Sequence, residues 1–384
     1  MGKGSSSNHQ DIYKGIGEMK IGINATFLNE KPTGIGVFTR EISRSLFKLH
    51  KKMILFSPVY DSGIPLGHSY KVSEAMNGSP RFLNNLYRVF YINTILPVLC
   101  KLKGVDVLYC PITEFPFIPV VPIVTHIHDL HPIHFPSQFG LASARLRLSL
   151  KVMNRIVKRM IVSSGFVKSE LLKSTNIRED KIDVIHLAYN NNIFKPQVAE
   201  KRKEFFDKYS IKGNYILFVG SLFPYKNVKI LIEAFQRIKN QIPHGLIIVG
   251  RREFSTEPLS KDSKILYMDY VLNEDLPMFY SYADLFVYPS LREGFGIAPL
   301  EAMACGTPVI SSDGGSLPEV VGDAGIFFDP EDSVSLSELI LMVINDERLR
   351  KELVEKGLKH VKKFSWDRTT EGILKSCERA LKEK

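Results

Sequence analysis

The chain reads as an α/β protein of two doubly wound domains, each built on a parallel sheet, facing a central cleft. Three observations predict this. Its 384 residues suffice for two separate cores. The strand-like runs are apolar and β-branched with little alternation, as in strands buried on both faces of a parallel sheet. Helix-period segments separate those runs in both halves, and a polar break, Asn190-Asn-Asn-Ile-Phe-Lys-Pro196 followed by the charged stretch 200–209, divides the halves.

In the first half, strands are expected at residues 20–25, 53–57, 106–110, 122–127, 160–163 and 182–187. Helices fall between them at 37–50, 82–102, 143–158 and 168–175, where apolar residues recur at helical spacing. The second half repeats the alternation. Strands are expected at 215–219, 245–249, 265–268, 285–288, 308–311 and 325–328, with helices at 227–239, 274–282, 297–305 and 317–321 and two more to close. The last of these, 369–381, is amphipathic and follows Trp366, the sole tryptophan. Domains are thus placed at 20–196 and 200–366. Residues 1–19 are Gly/Ser-rich and read as a tag-like leader, although Met-Gly-Lys-Gly-Ser-Ser also fits an N-myristoylation pattern.

Composition excludes several classes. Hydrophobic content of 44% and charged content of 24% are those of a globular chain. No apolar run approaches the roughly 20 residues that span a bilayer. Cys100, Cys110, Cys305 and Cys377 lack metal or redox spacing and read as free thiols of a reducing compartment, so a cytoplasmic location is expected. Charge is uneven: residues 20–199 hold 23 Lys and Arg against 11 Asp and Glu, whereas residues 200–384 hold 26 against 28. A half this basic expects an anionic partner. Its basic residues are not aligned with stacking aromatics and no nucleic-acid motif occurs, so nucleic acid is not expected.

The most informative stretch is Pro289-Ser-Leu-Arg-Glu-Gly-Phe-Gly-Ile-Ala-Pro-Leu-Glu301, between a buried strand and a helix. A glycine turn opening a helix presents backbone N–H groups and the positive end of the helix dipole, which suit phosphate. Glu293 on the turn and Glu301 on the helix lie within reach of sugar hydroxyls. Together they describe a pocket for a sugar diphosphate or nucleotide sugar, with simple helix capping as the alternative. Lys226 follows Gly220 on another strand-to-helix loop. An ammonium there is unfavourable for the helix dipole, which points to an anionic ligand rather than to solvation. Gly34-Ile-Gly36 opens a helix at Val37 and reads as a phosphate-approach turn, but Thr39 replaces the third glycine and Phe56-Ser57-Pro58 replaces the acid of an NAD site.

His128-Asp129 ends the strand 122–127, where a cleft is expected. His128 is either a substrate contact or a structural histidine beside a capping Asp. His126, His131 and His134 crowd the same loop, yet no acidic pair accompanies them and no Asp-x-Asp occurs, so no metal is expected. The helix 143–159 interleaves Arg145, Arg147, Lys151, Arg155, Lys158 and Arg159 with apolar residues, and 82–102 is similar. Such helices suit either an anionic membrane surface or a core with a solvated charged face.

Phe218-Val-Gly-Ser-Leu-Phe-Pro-Tyr-Lys226-Asn227, Glu293-Gly-Phe-Gly with Glu301, Gly306-Thr-Pro-Val-Ile and Leu317-Pro-Glu-Val resemble the C-terminal domain of GT-B nucleotide-sugar glycosyltransferases, more narrowly the retaining family 4. Gly34-Ile-Gly36, His128-Asp129, Ser163-Ser-Gly-Phe-Val167 and Lys181-Ile-Asp-Val-Ile185 resemble that family's acceptor domain. The resemblance implies two Rossmann-like domains, with residues 367–384 crossing back to the first. It implies Glu293, His128 and Lys226 as catalytic residues. Gly34, Gly36, Gly220, Ser221, Lys226, Asn227, Val271, Gly294, Phe295, Gly296 and Glu301 would bind donor, with Glu301 on the ribose. The chain departs from the pattern where Ser221 or Tyr225 stands at a position often basic, leaving Arg251 or Arg252 as substitutes.

The resemblance further implies a retaining, metal-independent transfer without a cofactor, with mannose from GDP-mannose as the expected donor pair and UDP-N-acetylglucosamine or dTDP-rhamnose as the alternatives. The acceptor is expected to be a lipid-linked or oligosaccharide glycan, with peripheral placement on the inner face of a membrane. A sugar-nucleotide epimerase of the same fold, with Glu114 or Asp129 as its acid/base group, and a non-catalytic nucleotide-sugar-binding protein are the alternatives.

Overall fold

The computed structural model describes residues 18–30, 34–73, 81–251 and 262–383; Arg252 and positions 1–17 of the expected leader lie outside the described residues. The chain forms two compact units, one running to His186 and resuming at Trp366, the other comprising Leu187–Ser365.

The first unit runs β1 (Ile21–Asn24), α1 (Ile35–Leu49), β2 (Met53–Ser57), β3 (Ser69–Lys71), α2 (Arg81–Leu102), β4 (Val107–Cys110), β5 (Ile123–Ile127), α3 (His131–His134), α4 (Pro136–Phe139), α5 (Leu141–Ile156), β6 (Arg159–Val162), α6 (Gly165–Ser174) and β7 (Ile182–Val184). Its seven strands are parallel in the order β3-β2-β1-β4-β5-β6-β7. The five strands β1, β2, β4, β5 and β6 are buried along their length, which explains their unbroken apolar sequence. Sequence order reverses between β1 and β4, so their connections leave in opposite directions and open a crevice at the strands' carboxyl ends.

The second unit runs α7 (Arg202–Tyr209), β8 (Tyr215–Val219), α8 (Val228–Ile238), β9 (Gly245–Val249), β10 (Ile265–Met268), α9 (Leu276–Ser281), β11 (Leu285–Tyr288), α10 (Ile297–Ala304), β12 (Val309–Ser312), α11 (Leu317–Val321), β13 (Ile326–Phe328), α12 (Ser333–Asn345) and α13 (Glu347–His360). Its parallel sheet has the order β10-β9-β8-β11-β12-β13, with the reversal between β8 and β11.

Several expectations are corrected. The charged stretch 200–209 is largely the helix α7, because Phe205 packs on Phe279 (4.7 Å) and Tyr282 (5.5 Å) beneath its charged outer face. The boundary falls after His186 rather than at Pro196, because the following segment is bound to the second unit: Tyr282 Oη donates to the Val198 carbonyl (2.7 Å) and Phe194 packs on Tyr280. Met19 is core rather than leader: it is buried, and His50 Nε2 bonds its carbonyl at 2.6 Å. The short edge strand β3 and the turns α3 and α4 carry too few residues for a periodic signal.

The closing helix α14 (Trp366–Lys382) belongs to the first unit. Trp366 packs on Phe38 (5.8 Å), and Ile373, Leu374, Cys377 and Ala380 form its buried stripe. Thr370 Oγ1 donates to Ser45 Oγ (2.7 Å) and Thr369 Oγ1 to the His186 carbonyl (2.8 Å). Asp183 fastens the helix electrostatically, accepting from Arg159 Nε (3.0 Å), Ser376 Oγ (2.7 Å) and Arg379 Nη1 (2.7 Å). Arg159 is buried and its other carboxylate partner, Glu383 (2.9 Å), is exposed, so removing Asp183 leaves its charge poorly compensated. Asp183→Ala is expected to cost about 3 kcal/mol in urea unfolding, whereas Arg379→Ala, which removes only an exposed partner, costs under about 1 kcal/mol.

Candidate functional site

The second sheet's reversal brings two loops together, residues 220–227 after β8 and residues 289–296 after β11. Gly220 and Gly250 let the ends of β8 and β9 touch: a Cβ on Gly250 would lie 1.7 Å from the Gly220 carbonyl oxygen. Gly220 N donates to the Val249 carbonyl and Leu222 N to that of Arg251, both at 2.9 Å, which steers the loop across the strand ends. Leu291 N then donates to the Tyr225 carbonyl (2.8 Å), joining the two loops directly.

At that junction Lys226 and Glu293 are both buried, and Lys226 Nζ donates to Glu293 Oε1 and to Tyr288 Oη, each at 2.7 Å. The ammonium also lies 5.4 Å from the Tyr225 ring centroid and 5.1 Å from that of Tyr288. Burial alone would lower the lysine pKa, but the Glu293 carboxylate outweighs it and holds the pKa above the ordinary lysine value. Burial and the same carboxylate raise that of Tyr288, which stays a neutral phenol. The result is a fixed cation inside the unit, with its counter-ion on the neighbouring loop.

The glycine turn is held from behind by a segment that sequence reasoning missed. Ser316 Oγ donates to the carbonyls of Glu293 (3.1 Å) and Phe295 (3.0 Å), and Ser316 N donates to that of Glu293 (3.1 Å). Gly314 and Gly315 lie flat against it: a Cβ on Gly315 would sit 2.5 Å from the Glu293 carbonyl oxygen. The run Asp313-Gly-Gly-Ser316 was the available signal, since adjacent glycines mark close backbone approach. Gly294 is buried, Phe295 is buried against Phe364 (5.9 Å), and Gly296 takes φ 89° at the start of α10. Gly296, Ile297, Ala298 and Glu301 are only half-buried, so this face of α10 is where a ligand can approach.

Glu301 lies one turn along that face and accepts from Tyr280 Oη at 3.0 Å. Burial, against this hydrogen bond, pushes its carboxyl up to about 7. Asn227 occupies the left-handed region (φ 56°) and its amide donates to the Pro330 carbonyl (2.7 Å), so its visible role is to start α8. Ser221 is half-buried in the first loop, Val271 is buried after β10, and Arg251 is exposed.

Gly34, Gly36 and His128 stand in the first unit. Helix α1 begins at Ile35, two residues earlier than expected, so only Gly34 (φ 48°) lies in the turn and Gly36 is buried inside the helix. His128 stacks on His126 at 4.2 Å and meets Phe38 edge-on at 4.7 Å. Its Nε2 donates to the Pro111 carbonyl (2.9 Å), which leaves Nδ1 as an acceptor in the neutral ring. Burial lowers its pKa despite that bond, so it is neutral at pH 7. Asp129 accepts from His131 N (2.9 Å) in the turn that leads into α3, whose N-cap is Leu130; burial would raise its carboxyl, but His131 holds it below the ordinary aspartate range. The cysteines are buried free thiols, and no described helix is long and apolar enough to cross a membrane.

Residues 201–360 match the family model for glycosyl transferases group 1, covering nearly the whole of this unit. The second unit is a group 1 glycosyltransferase domain. Among curated relatives, the chain is 36% identical over 223 residues to O-antigen chain mannosyltransferase B of Escherichia coli, and 31% identical over 215 residues to O-antigen chain mannosyltransferase RfbU of Salmonella typhimurium. These matches cover 56% and 54% of this chain and 58% and 57% of theirs, so the chain spans little more than half the length of either relative. Among solved structures, it is similar to Anabaena HepE in complex with UDP and glucose, with TM-score 0.72, 21% identity, and coverage of 93% and 98% of the two chains. The lipopolysaccharide glycosyltransferase WaaG gives 0.71 at 17% identity, with coverage of 93% and 99%. At these identities the likeness is one of fold, and it is the GT-B fold.

The glycosyltransferase domain therefore carries an ionisable group set against its own stability. Because the folded-state pKa of Glu301 lies above the ordinary 4.5, its protonated form is favoured in the native state. That contribution is complete below pH 4.5 and disappears as pH rises through about 7. Glu301→Gln, which removes the charge, is expected to stabilise the domain by about 1–2 kcal/mol at pH 8, after allowance for partial exposure, and to change nothing at pH 4.5. Melting curves across that range measure it.

Proposed function

We propose that the chain is a retaining glycosyltransferase that moves mannose from GDP-mannose to a lipid-linked or oligosaccharide acceptor in cell-surface polysaccharide synthesis. The observation that carries this reading is the buried Lys226–Glu293 pair where β8 and β11 diverge. Departure of a nucleoside diphosphate concentrates negative charge on its terminal phosphate. A cation already desolvated and fixed there stabilises that charge more than it stabilises the bound donor. The names of the two mannosyltransferase relatives support the sugar.

In this reading the diphosphate approaches the start of α10 and takes over part of the Lys226 ammonium, while Glu301 accepts from the ribose hydroxyls. Glu293, released in part from the lysine, faces the sugar hydroxyls. The bond from the anomeric carbon to the diphosphate oxygen breaks, and the acceptor oxygen bonds to that carbon on the same face. The acceptor's proton passes to the departing diphosphate. This scheme needs neither a metal nor a further cofactor, and it assigns no proton to His128, whose bare Nδ1 serves as a hydrogen-bond acceptor for a substrate hydroxyl. Peripheral attachment to the inner face of a membrane belongs to the same proposal.

Transfer is preferred to epimerisation because the first unit's carboxylates are already engaged. Glu114 is paired with Arg88 and Arg145, and Asp129 with His131. Neither resembles the poised acid or base that an epimerase requires.

A thermal-shift panel of GDP, UDP, dTDP and ADP tests the donor, and GDP is expected to give the largest rise. With GDP-mannose, Lys226→Ala and Glu293→Ala are each expected to lower turnover by about 10²–10³-fold. Wild-type turnover in both variants refutes the chemistry. A larger shift with another nucleotide refutes GDP-mannose alone.

A further inference from the structure

Glu301 lies on the half-buried face of α10, and among the described residues its carboxylate has one partner: Tyr280 Oη, which donates to Oε2 at 3.0 Å. Lys226 is taken up by Glu293 and Tyr288, and no described lysine, arginine or histidine pairs with Glu301. Oε1 therefore has no protein donor.

A tyrosine–glutamate bond either satisfies a buried hydroxyl or holds the carboxylate. The neighbouring tyrosines decide between these. Tyr215 Oη donates to the Phe279 carbonyl (2.8 Å) and Tyr282 Oη to the Val198 carbonyl (2.7 Å), so backbone satisfies a phenol in this region. Tyr209 does donate to a carboxylate, Asp275, but Lys208 compensates that charge at 2.6 Å. Tyr280 instead donates to a half-buried carboxylate that no cation balances, which is the costlier way to satisfy a hydroxyl. The bond serves the glutamate.

Tyr280 is also a rigid support. It is fully buried on α9, and its ring meets Phe194 (5.9 Å) and Phe286 (5.4 Å) edge-on. Its carbonyl accepts from Thr307 Oγ1 (2.6 Å), just beyond α10. Burial, and then the Glu301 charge, raise the Tyr280 hydroxyl well above the ordinary tyrosine range, so it keeps its proton and donates. The titratable groups beside this pair are neutral too. Burial pushes the Cys305 thiol up to about 12, and Tyr288 stays a phenol.

We infer that Tyr280 is a positioning residue for the nucleotide: by holding Oε2 it fixes the ionised Glu301 carboxylate and leaves Oε1 to accept from a ribose hydroxyl. This role rests on the placement of Glu301 at the ribose in the transfer reading above. Hydroxyl donors favour the ionised carboxylate, which forms as pH rises through about 7. Nucleotide affinity therefore climbs through that range. The Tyr280 hydrogen bond lowers the midpoint, so removing it moves the climb to higher pH.

The test titrates the nucleotide with the largest shift in the panel above, GDP by expectation, into the full chain by calorimetry between about pH 6 and 9. Glu301→Gln, which cannot ionise, gives the baseline that removes the titration of the phosphate itself. In Tyr280→Phe, which deletes one oxygen and keeps the ring, the midpoint is expected to move up by roughly one pH unit. Binding is then about fivefold weaker near pH 7 and within about twofold of wild type at pH 9. The 2′,3′-dideoxy nucleotide offers no ribose hydroxyl and is expected to bind wild type and Tyr280→Phe equally throughout. A midpoint shared by the two proteins overturns the inference alone. Equal weakening of the nucleotide and its dideoxy form also overturns it, and makes Tyr280 a packing residue. Undiminished nucleotide binding by Glu301→Gln at about pH 8 overturns it together with the ribose placement. Absence of binding by every nucleotide in the panel overturns the transfer reading as well.

Discussion

The second unit turns on a buried ion pair. Removing a lysine and a glutamate from water costs more than their attraction returns unless the remaining donors and acceptors are also satisfied. Here Tyr288 Oη accepts a second ammonium hydrogen bond, and two tyrosine rings lie near the charge. The pair can form only because β8 and β11 are neighbours whose following loops diverge at the sheet reversal. Everything else in the site keeps those two loops in register. Leu291 ties one to the other, Gly220 and Gly250 permit the close strand ends, and Ser316 closes the rear of the turn.

This arrangement separates holding from binding. The Glu293 and Phe295 carbonyls face Ser316, so the turn's rear polar groups serve the protein. Its forward side, from Gly296 through Glu301, is the half-buried face of α10. A ligand there meets a helix start whose position is fixed by backbone contacts rather than by long side chains. Little conformational entropy is then lost on binding, which is what preorganised electrostatic stabilisation requires.

Much of this was legible in the sequence because parallel strands are buried on both faces and so carry unbroken apolar runs. Lys226 and Glu293 stood out as charged residues on glycine-bearing strand-to-helix loops, and Glu301 as a carboxylate on the helix that such a loop opens. The pairing of Lys226 with Glu293 was not legible: 67 positions separate them, and only the strand order brings their loops together. Nor was the Gly314-Gly315-Ser316 clamp, whose function lies in the backbone it touches. Helix α7 was hidden because its solvent face carries the charges, while Phe205 alone is fully buried. The start of α1 was misplaced because Gly36, read as part of a turn, is buried inside the first turn of the helix.

The charges of the second unit follow from what it is proposed to hold. In the second unit Lys226 and Glu293 balance, and the half-buried Glu301 is poised to ionise near neutral pH, an energetic cost that hydroxyl donors from a ligand would offset. In the first unit Arg88 and Arg145 share Glu114, and Asp129 is paired with His131. A site for a departing diphosphate must hold the anion and then release it, so a cation tempered by its own carboxylate suits it.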